Sequence, residues 1–198
     1  MIRTSEEQIN SKGYWNYIYA TPAKAVDYWT PTRRFVKALS YVKDGDKVID
    51  IGCGVGVLTR MIQKERQGCE VWGTDISDEV IRNNLVDDPR TEYRVGFAGE
   101  QKDLPNEYFD VVFSGEVIEH MDLPETLFSE AYRILKPGGK LIITCPKDDN
   151  VRSPEHLWYF DKDDMVKFYV DAGLKEPEFI ELDGTEYLVV FFCLGEKP

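Results

Sequence analysis

Val48-Ile49-Asp50-Ile51-Gly52-Cys53-Gly54-Val55-Gly56 is the stretch that decides how this chain folds. Its first part, with Lys47 ahead of it, is a short apolar run of the kind that forms a strand buried on both faces. Three glycines at alternate positions then predict a tight loop in which backbone can approach a ligand without a Cβ in the way. Leu58 to Arg66 carries helical spacing and closes near Gly68. Strand, glycine loop, helix is the opening unit of a parallel α/β sheet, and such sheets bind ligands beyond the carboxyl ends of their strands.

Outward from this unit the same alternation continues. Upstream, Thr30 and Pro31 suit the start of a helix through Phe35, Val36, Leu39 and Val42. Downstream, EVWGTD predicts a second strand and Ser77 a cap for a helix through Val80, Ile81 and Leu85. EYRVGF and FDVVFSG are further strands. Leu123 to Leu135 reads as a helix stopped by Lys136-Pro137-Gly138-Gly139, KLIITCP as the fifth strand, and Asp161 to Ala172 as a helix ending at Gly173. EFIELDG and EYLVVFFCLG sit close enough to pair across Asp183-Gly184-Thr185. The expected fold is α/β: a single doubly wound, mostly parallel seven-stranded sheet with helices on both faces and an antiparallel C-terminal hairpin. One domain is expected over residues 1–198, with 31–198 as a ligand-binding core and the aromatic-rich segment 1–30 as a lid or second binding segment.

Composition narrows the function. The chain has 198 residues, 42% hydrophobic and 30% charged, which are globular values. Its net charge of -12 is uneven: residues 1–49 carry a net +3 and the remainder -15. An acidic body disfavours broad binding to nucleic acid. No run approaches the ~20 apolar residues of a membrane helix, and the polar start MIRTSEEQINSKG does not read as a secretory signal. A cytoplasmic protein, monomeric or a homodimer, is the expectation. Cys53, Cys69, Cys145 and Cys193 lack metal or disulfide spacing and read as reduced, mostly buried thiols.

Asp75 ends the second strand, 23 residues after Gly52. An acid at that place in nucleotide-binding α/β folds accepts hydrogen bonds from ribose hydroxyls. A dinucleotide fingerprint would need a third glycine at Val57. Asp50, just ahead of the loop, repels a pyrophosphate and suits a ligand bearing ammonium and sulfonium groups.

Taken with GTDIS, EYFDVVFSGEVIEHM and ILKPGGKLIITCP, the segment VIDIGCGVG resembles the motif set of class I S-adenosylmethionine-dependent methyltransferases, over roughly residues 35–175. The match looks most like the small-molecule (type 11-like) branch. The resemblance implies a Rossmann-like methyltransferase fold, S-adenosylmethionine as cofactor and S-adenosylhomocysteine as product. It implies that Gly52, Cys53, Gly54 and Gly56 pass beneath the methionyl part, with Asp50 orienting its ammonium. Asp75 would bind the ribose, Ile76 would pack on adenine, and Ser114, Gly115 and Glu116 would lie beside the methionyl end. Where relatives often read D-A-x-x-L-P, this chain reads Glu100-Gln101-Lys102-Asp103-Leu104-Pro105, so Glu100 would approach the adenine amino group and Gln101 would offer its backbone amide.

The acceptor side is less legible. The chain has two histidines, His120 and His156, and histidine is the side chain best suited to take a proton near neutral pH. Both are candidate catalytic residues. His120, just after the fourth strand, ranks ahead of His156 on its longer loop. Glu119 and His120 also admit a purely structural reading. Asp148-Asp149 and Asp161-Asp163-Asp164 read as solvated charge, and no metal site is expected. The expected function is methyl transfer to an oxygen or nitrogen of a small molecule. Methylation of RNA or protein, and a non-catalytic cofactor-binding regulator, stand as alternatives. Ser114-Gly115-Glu116-Val117 occupies the place where an amino-methylation signature would be.

Overall fold

The computed structural model describes residues 1–3, 9–21, 33–146, 153–180, 182 and 190–198. In chain order the elements are β1 (Ile2–Arg3), α1 (Lys12–Ala20), α2 (Arg33–Leu39), β2 (Lys47–Ile51), α3 (Val57–Glu65), β3 (Glu70–Asp75), α4 (Asp78–Asp87), β4 (Glu92–Val95) and β5 (Phe109–Gly115). A 3-10 turn at Ile118–His120 follows, then α5 (Glu125–Ile134), β6 (Leu135–Pro146), β7 (Trp158–Tyr159), α6 (Lys162–Asp171), β8 (Glu178–Phe179) and β9 (Val190–Glu196).

Seven strands form one sheet in the order β4-β3-β2-β5-β6-β9-β8. The five from β4 to β6 are mutually parallel, and β9 runs antiparallel to β6 and to β8. This is the expected doubly wound sheet with an antiparallel edge. The expected hairpin turn at Asp183-Gly184-Thr185, the Thr30-Pro31 helix start and Asp148-Asp149 lie outside the described residues. From β2 the chain winds outward to β4, then returns to β5 on β2's other side. The loops after β2, β3 and β5 therefore gather at one switch point, at the carboxyl ends of the strands.

Alternating residues of the central strands feed two cores. Ile49, Ile51, Val112, Leu141 and Ile143 pack on one face against Leu127, Phe128, Ile134, Met165 and Tyr169 of α5 and α6. Val48, Val111, Phe113 and Ile142 pack on the other against Ala38, Leu39, Leu58 and Ile62 of α2 and α3. Burying each large side chain contributes about 1.5–3 kcal/mol. That holds the strand ends, and so the site, in fixed register.

Local signals explain the boundaries. The Ser77 hydroxyl caps α4 by accepting from the Val80 amide at 3.3 Å. Asp161 and Asp164 form a reciprocal capping box on α6. Two boundaries differ from the sequence reading. The third strand stops at Val95, one ladder bond short of a turn in which the Phe97 carbonyl accepts from the Glu100 amide at 2.9 Å. The Lys136–Gly139 stretch does not interrupt β6: Leu135 pairs with Phe109, and Lys197 exchanges backbone hydrogen bonds with Gly138 and Gly139. All four cysteines are free thiols. Among the described residues no helix is long and apolar enough to cross a membrane.

Candidate functional site

Gly52, Gly54 and Gly56 all adopt the left-handed conformation, with φ of 76°, 49° and 72°. Only glycine takes three such positions without strain. A Cβ on Gly52 would lie 2.3 Å from the Val117 side chain, so β5's following loop sits directly against the glycine backbone. Asp75, 6% exposed, spans the gap between the two strand ends. It accepts from the Gly54 amide at 3.0 Å and the Ser77 amide at 2.9 Å, one at each oxygen. Each oxygen keeps a lone pair for a further donor.

A cleft of about 570 Å³, open to solvent, runs from this point. The loop after β2 and the end of β3 line it with Gly52, Asp75 and Ile76, the stretch after β4 with Gly96, Phe97 and Ala98, and the stretch after β5 with Glu116, Val117, His120 and Met121. Asn10, Trp15 and Tyr19 close it from the N-terminal segment. Helix α1 is held there by Asn16, which donates to Asp78 at 2.6 Å and accepts from the Ser77 hydroxyl at 2.7 Å. The Tyr14 hydroxyl donates to the Glu155 carboxylate.

The charges of the site oppose one another. Burial, then the neighbouring Asp75, pushes the Asp50 carboxyl up to about 8, while Arg34 draws it down. Burial raises Asp75 to about 6 against three backbone N–H donors. Burial also raises Glu116, and raises Glu119 well above the usual range with help from the Glu116 charge. The Arg34 guanidinium pulls both back. Its Nε is buried without a hydrogen-bond partner among the described residues. One cation facing several acids, with a donor unspent, is a fitting receptor for a ligand that carries a carboxylate and positive groups together.

Beyond Glu116 lies a compact cluster. Glu119, His120 and His156 each bring a ligand-capable atom within 4.8 Å of the others'. The two imidazole rings are 5.0 Å apart between centroids, so the later loop carrying His156 folds back onto the turn carrying His120. That loop is pinned by the Leu157 amide, which donates to the Glu119 carbonyl at 2.7 Å, and by Trp158 Nε1, which donates to the Met121 carbonyl at 2.8 Å. Burial drops the His120 pKa to about 4, leaving its imidazole neutral.

The sequence-predicted residues divide accordingly. Gly52, Asp75, Ile76, Glu116 and His120 line the cleft. Asp50 is buried beneath it, and Gly54 and Gly56 shape its floor. The remaining residues face elsewhere. The Cys53 side chain packs inward beside Val80 and Tyr93. The Ser114 hydroxyl is spent on the Ile51 carbonyl at 2.8 Å, tying β5 to β2. Gly115 has no room for a Cβ, which would meet Phe113 at 2.8 Å and Thr144 at 2.9 Å. Glu100 is exposed and pairs with Lys102 at 2.5 Å, and the Gln101 amide donates to Glu130 at 3.0 Å. Neither lines the cleft: the loop turns at Phe97, whose carbonyl accepts from the Glu100 amide, and Phe97 and Ala98 form that wall instead. The ranking of His120 over His156 by loop length also loses its basis, since the fold brings both rings together. Sequence reasoning missed Arg34 and the Phe97-Ala98 wall. It named Glu119 only as half of a pair.

Residues 49–143 match a family model described as a methyltransferase domain. Over 107 residues the chain is 40% identical to the mitochondrial ubiquinone biosynthesis O-methyltransferase of Homo sapiens, covering 50% of this chain and 28% of that protein. It is 35% identical over 127 residues to phosphoethanolamine N-methyltransferase 3 of Arabidopsis thaliana, covering 63% of this chain and 25% of that one. The chain thus spans about a quarter of the length of these curated relatives. Among solved structures, a chain from the complex between the Haloferax volcanii Trm112 methyltransferase activator and a methyltransferase superposes with a TM-score of 0.75. That match is 22% identical and covers 93% of this chain and 97% of the other, a likeness of fold.

Proposed function

We propose that this chain, a member of the class I S-adenosylmethionine-dependent methyltransferases, moves a methyl group from that cofactor to a small-molecule acceptor. The observation that carries the reading is one cleft lined by Gly52, Asp75, Glu116 and His120, with the Arg34 charge acting on Asp50, Glu116 and Glu119, and with Glu119 and His156 beside His120. Bound S-adenosylmethionine supplies a methyl carbon already activated by its sulfonium.

The residues present fit that group. Asp75 keeps a lone pair on each oxygen for the ribose hydroxyls. Arg34 Nε has no partner among the described residues, and its positive charge suits the carboxylate of a methionyl group. Asp50 and Glu116 balance its ammonium and sulfonium. Phe97 and Ile76 offer apolar surface to a base. The rest of the work is alignment and exclusion of water. Trp15 packs edge-on against His120 with ring centroids 5.2 Å apart, so α1 covers the acceptor end. The ubiquinone-biosynthesis and phosphoethanolamine methyltransferases among its relatives carry small-molecule acceptors in their names, which supports this choice.

The test is transfer of labelled methyl from S-adenosylmethionine into a whole-cell extract fractionated into small molecules, RNA and protein. Label in the small-molecule fraction is expected. Label confined to RNA or protein, or no transfer at all by a protein that binds the cofactor, overturns the reading.

A further inference from the structure

We propose that Glu119, His120 and His156 form a binding site for one divalent transition-metal ion, of the Zn²⁺ or Mn²⁺ class, at the acceptor end of the cleft. The inference rests on the reading above only for its purpose; the site itself stands on geometry.

Two elements far apart in sequence converge. The 3-10 turn after β5 supplies Glu119 and His120, and the loop after β6 supplies His156, with one ligand-capable atom from each within 4.8 Å of the other two. Two imidazoles and one carboxylate are a donor set suited to such ions, and three protein ligands leave a coordination position open for substrate. The buried carboxylate is the second, independent observation. Glu119 is 1% exposed, and both of its oxygens lack any hydrogen-bond partner among the described residues. A carboxyl group left with neither water nor partner costs about 1–3 kcal/mol or more. A fold that tolerates this cost gains only if something meets those oxygens. His120 Nε2 stands 3.8 Å from Oε1, too far for a hydrogen bond.

His120 is also prepared as a neutral ligand. Its Nδ1 lies 2.9 Å from the Glu155 carbonyl oxygen, which fixes the proton on Nδ1 and leaves the Nε2 lone pair facing Glu119. Carbonyl support of the far ring nitrogen is how metal-binding histidines are oriented. The same carbonyl accepts from the Asn10 side chain at 2.8 Å. Trp15 covers the other side, so the cluster sits in a partly dry recess at the cleft wall.

The ligand class of the acceptor follows. An ion here holds an acceptor that offers oxygen donors, such as two neighbouring hydroxyls. Coordination makes a hydroxyl easier to ionise. The hydroxyl proton leaves to water. The oxygen's electron pair forms the new O–CH₃ bond, and the C–S bond pair returns to sulfur, giving a neutral thioether.

The experiment is titration of the full chain with Mn²⁺, Zn²⁺ and Co²⁺ as the salts alone, followed by calorimetry and, for Co²⁺, by its visible d–d band. S-adenosylmethionine affinity is measured on the same preparations. One ion per chain is expected, with a Co²⁺ band indicating nitrogen ligands. Glu119→Gln keeps shape and removes charge, and His156→Ala removes the later loop's ligand. Each should weaken the ion by about a hundredfold or more, beyond the 10–100-fold typical of supporting groups, while cofactor affinity and circular dichroism stay unchanged. Wild-type protein that binds the cofactor but no ion, or ion binding unchanged in both variants, overturns the metal site and leaves the methyltransferase reading standing. Failure to bind the cofactor overturns that reading instead.

Discussion

His120 Nδ1 lies 2.9 Å from the carbonyl oxygen of Glu155, the residue immediately before His156. One peptide unit thus orients the first histidine and delivers the second. The two rings act as a unit, and removing either disturbs the same recess. With an oxygen acceptor, His120→Ala and His156→Ala should each lower turnover by about 10²–10⁴, and the double variant should lose little more than either alone. Steady-state kinetics on the purified variants checks this. Full turnover in one single variant would show that the rings work separately.

Asp75→Ala should weaken S-adenosylmethionine by roughly 2–4 kcal/mol, since charge-assisted hydrogen bonds to two hydroxyls are lost. The carboxylate also accepts from the Gly54 and Ser77 amides. Asp75→Asn, which keeps acceptor capacity on one oxygen, should therefore lose less stability than the alanine variant in urea denaturation. Equal cofactor affinity in wild type and Asp75→Ala would remove the residue from the site.

Asp50 gives the empty protein a pH signature. Its pKa stands at about 8 in the fold, against the 3.8 of an exposed carboxyl, chiefly through burial. Between those values the folded state holds a proton that the unfolded chain has released, so stability falls as pH rises through the window. His120, lowered to about 4, contributes a slope of the opposite sign near pH 6.5, where the unfolded imidazole still holds part of a proton, but does so equally in wild type and in Asp50→Asn. Glu119 pulls in the same direction as Asp50. Asp50→Asn should make the decline in unfolding free energy between about pH 6.5 and 7.5 shallower by about 1 kcal/mol per pH unit. Identical slopes in the two proteins would refute the assignment.

Helix α1 is latched to α4 by the Asn16 amide and by an exposed Lys12–Asp78 ion pair at 3.2 Å. Asn16 bonds to Asp78, to the Ser77 hydroxyl at 2.7 Å and to the Glu79 amide at 3.3 Å. Asn16→Ala should leave the melting temperature of the core nearly unchanged and speed cofactor release by about tenfold, as expected for losing about 1–2 kcal/mol of hydrogen bonding. Stopped-flow displacement measures that rate. An unchanged rate would show that α1 does not act as a cover.

The parts of the molecule legible in the sequence were those written locally. Gly52 to Gly56 and Asp75 were found because a strand end, a loop and a helix start are contiguous, and parallel strands carry their apolar runs openly. The third strand was read too long because Gly96 and Phe97 look like strand residues, whereas Phe97 begins a turn closed by the Glu100 amide. Glu100 was placed by position in a motif, but its side chain follows a turn that the string does not specify. Arg34 was missed because α2 lies ahead of β2 in the chain and meets Asp50, Glu116 and Glu119 only in the fold. Glu119 and His156 lie far apart in sequence, and the pairing of β5 with β6 and the bonds of Leu157 and Trp158 to the turn after β5 bring them together only in the fold.

The most direct measurement of the central claim is a calorimetric comparison of S-adenosylmethionine, S-adenosylhomocysteine and NAD on the same protein. The carboxylate-led loop, the unspent Arg34 donor and the absent third glycine at Val57 predict binding of the first two and none of NAD. NAD binding more tightly than S-adenosylmethionine would contradict the account at its root.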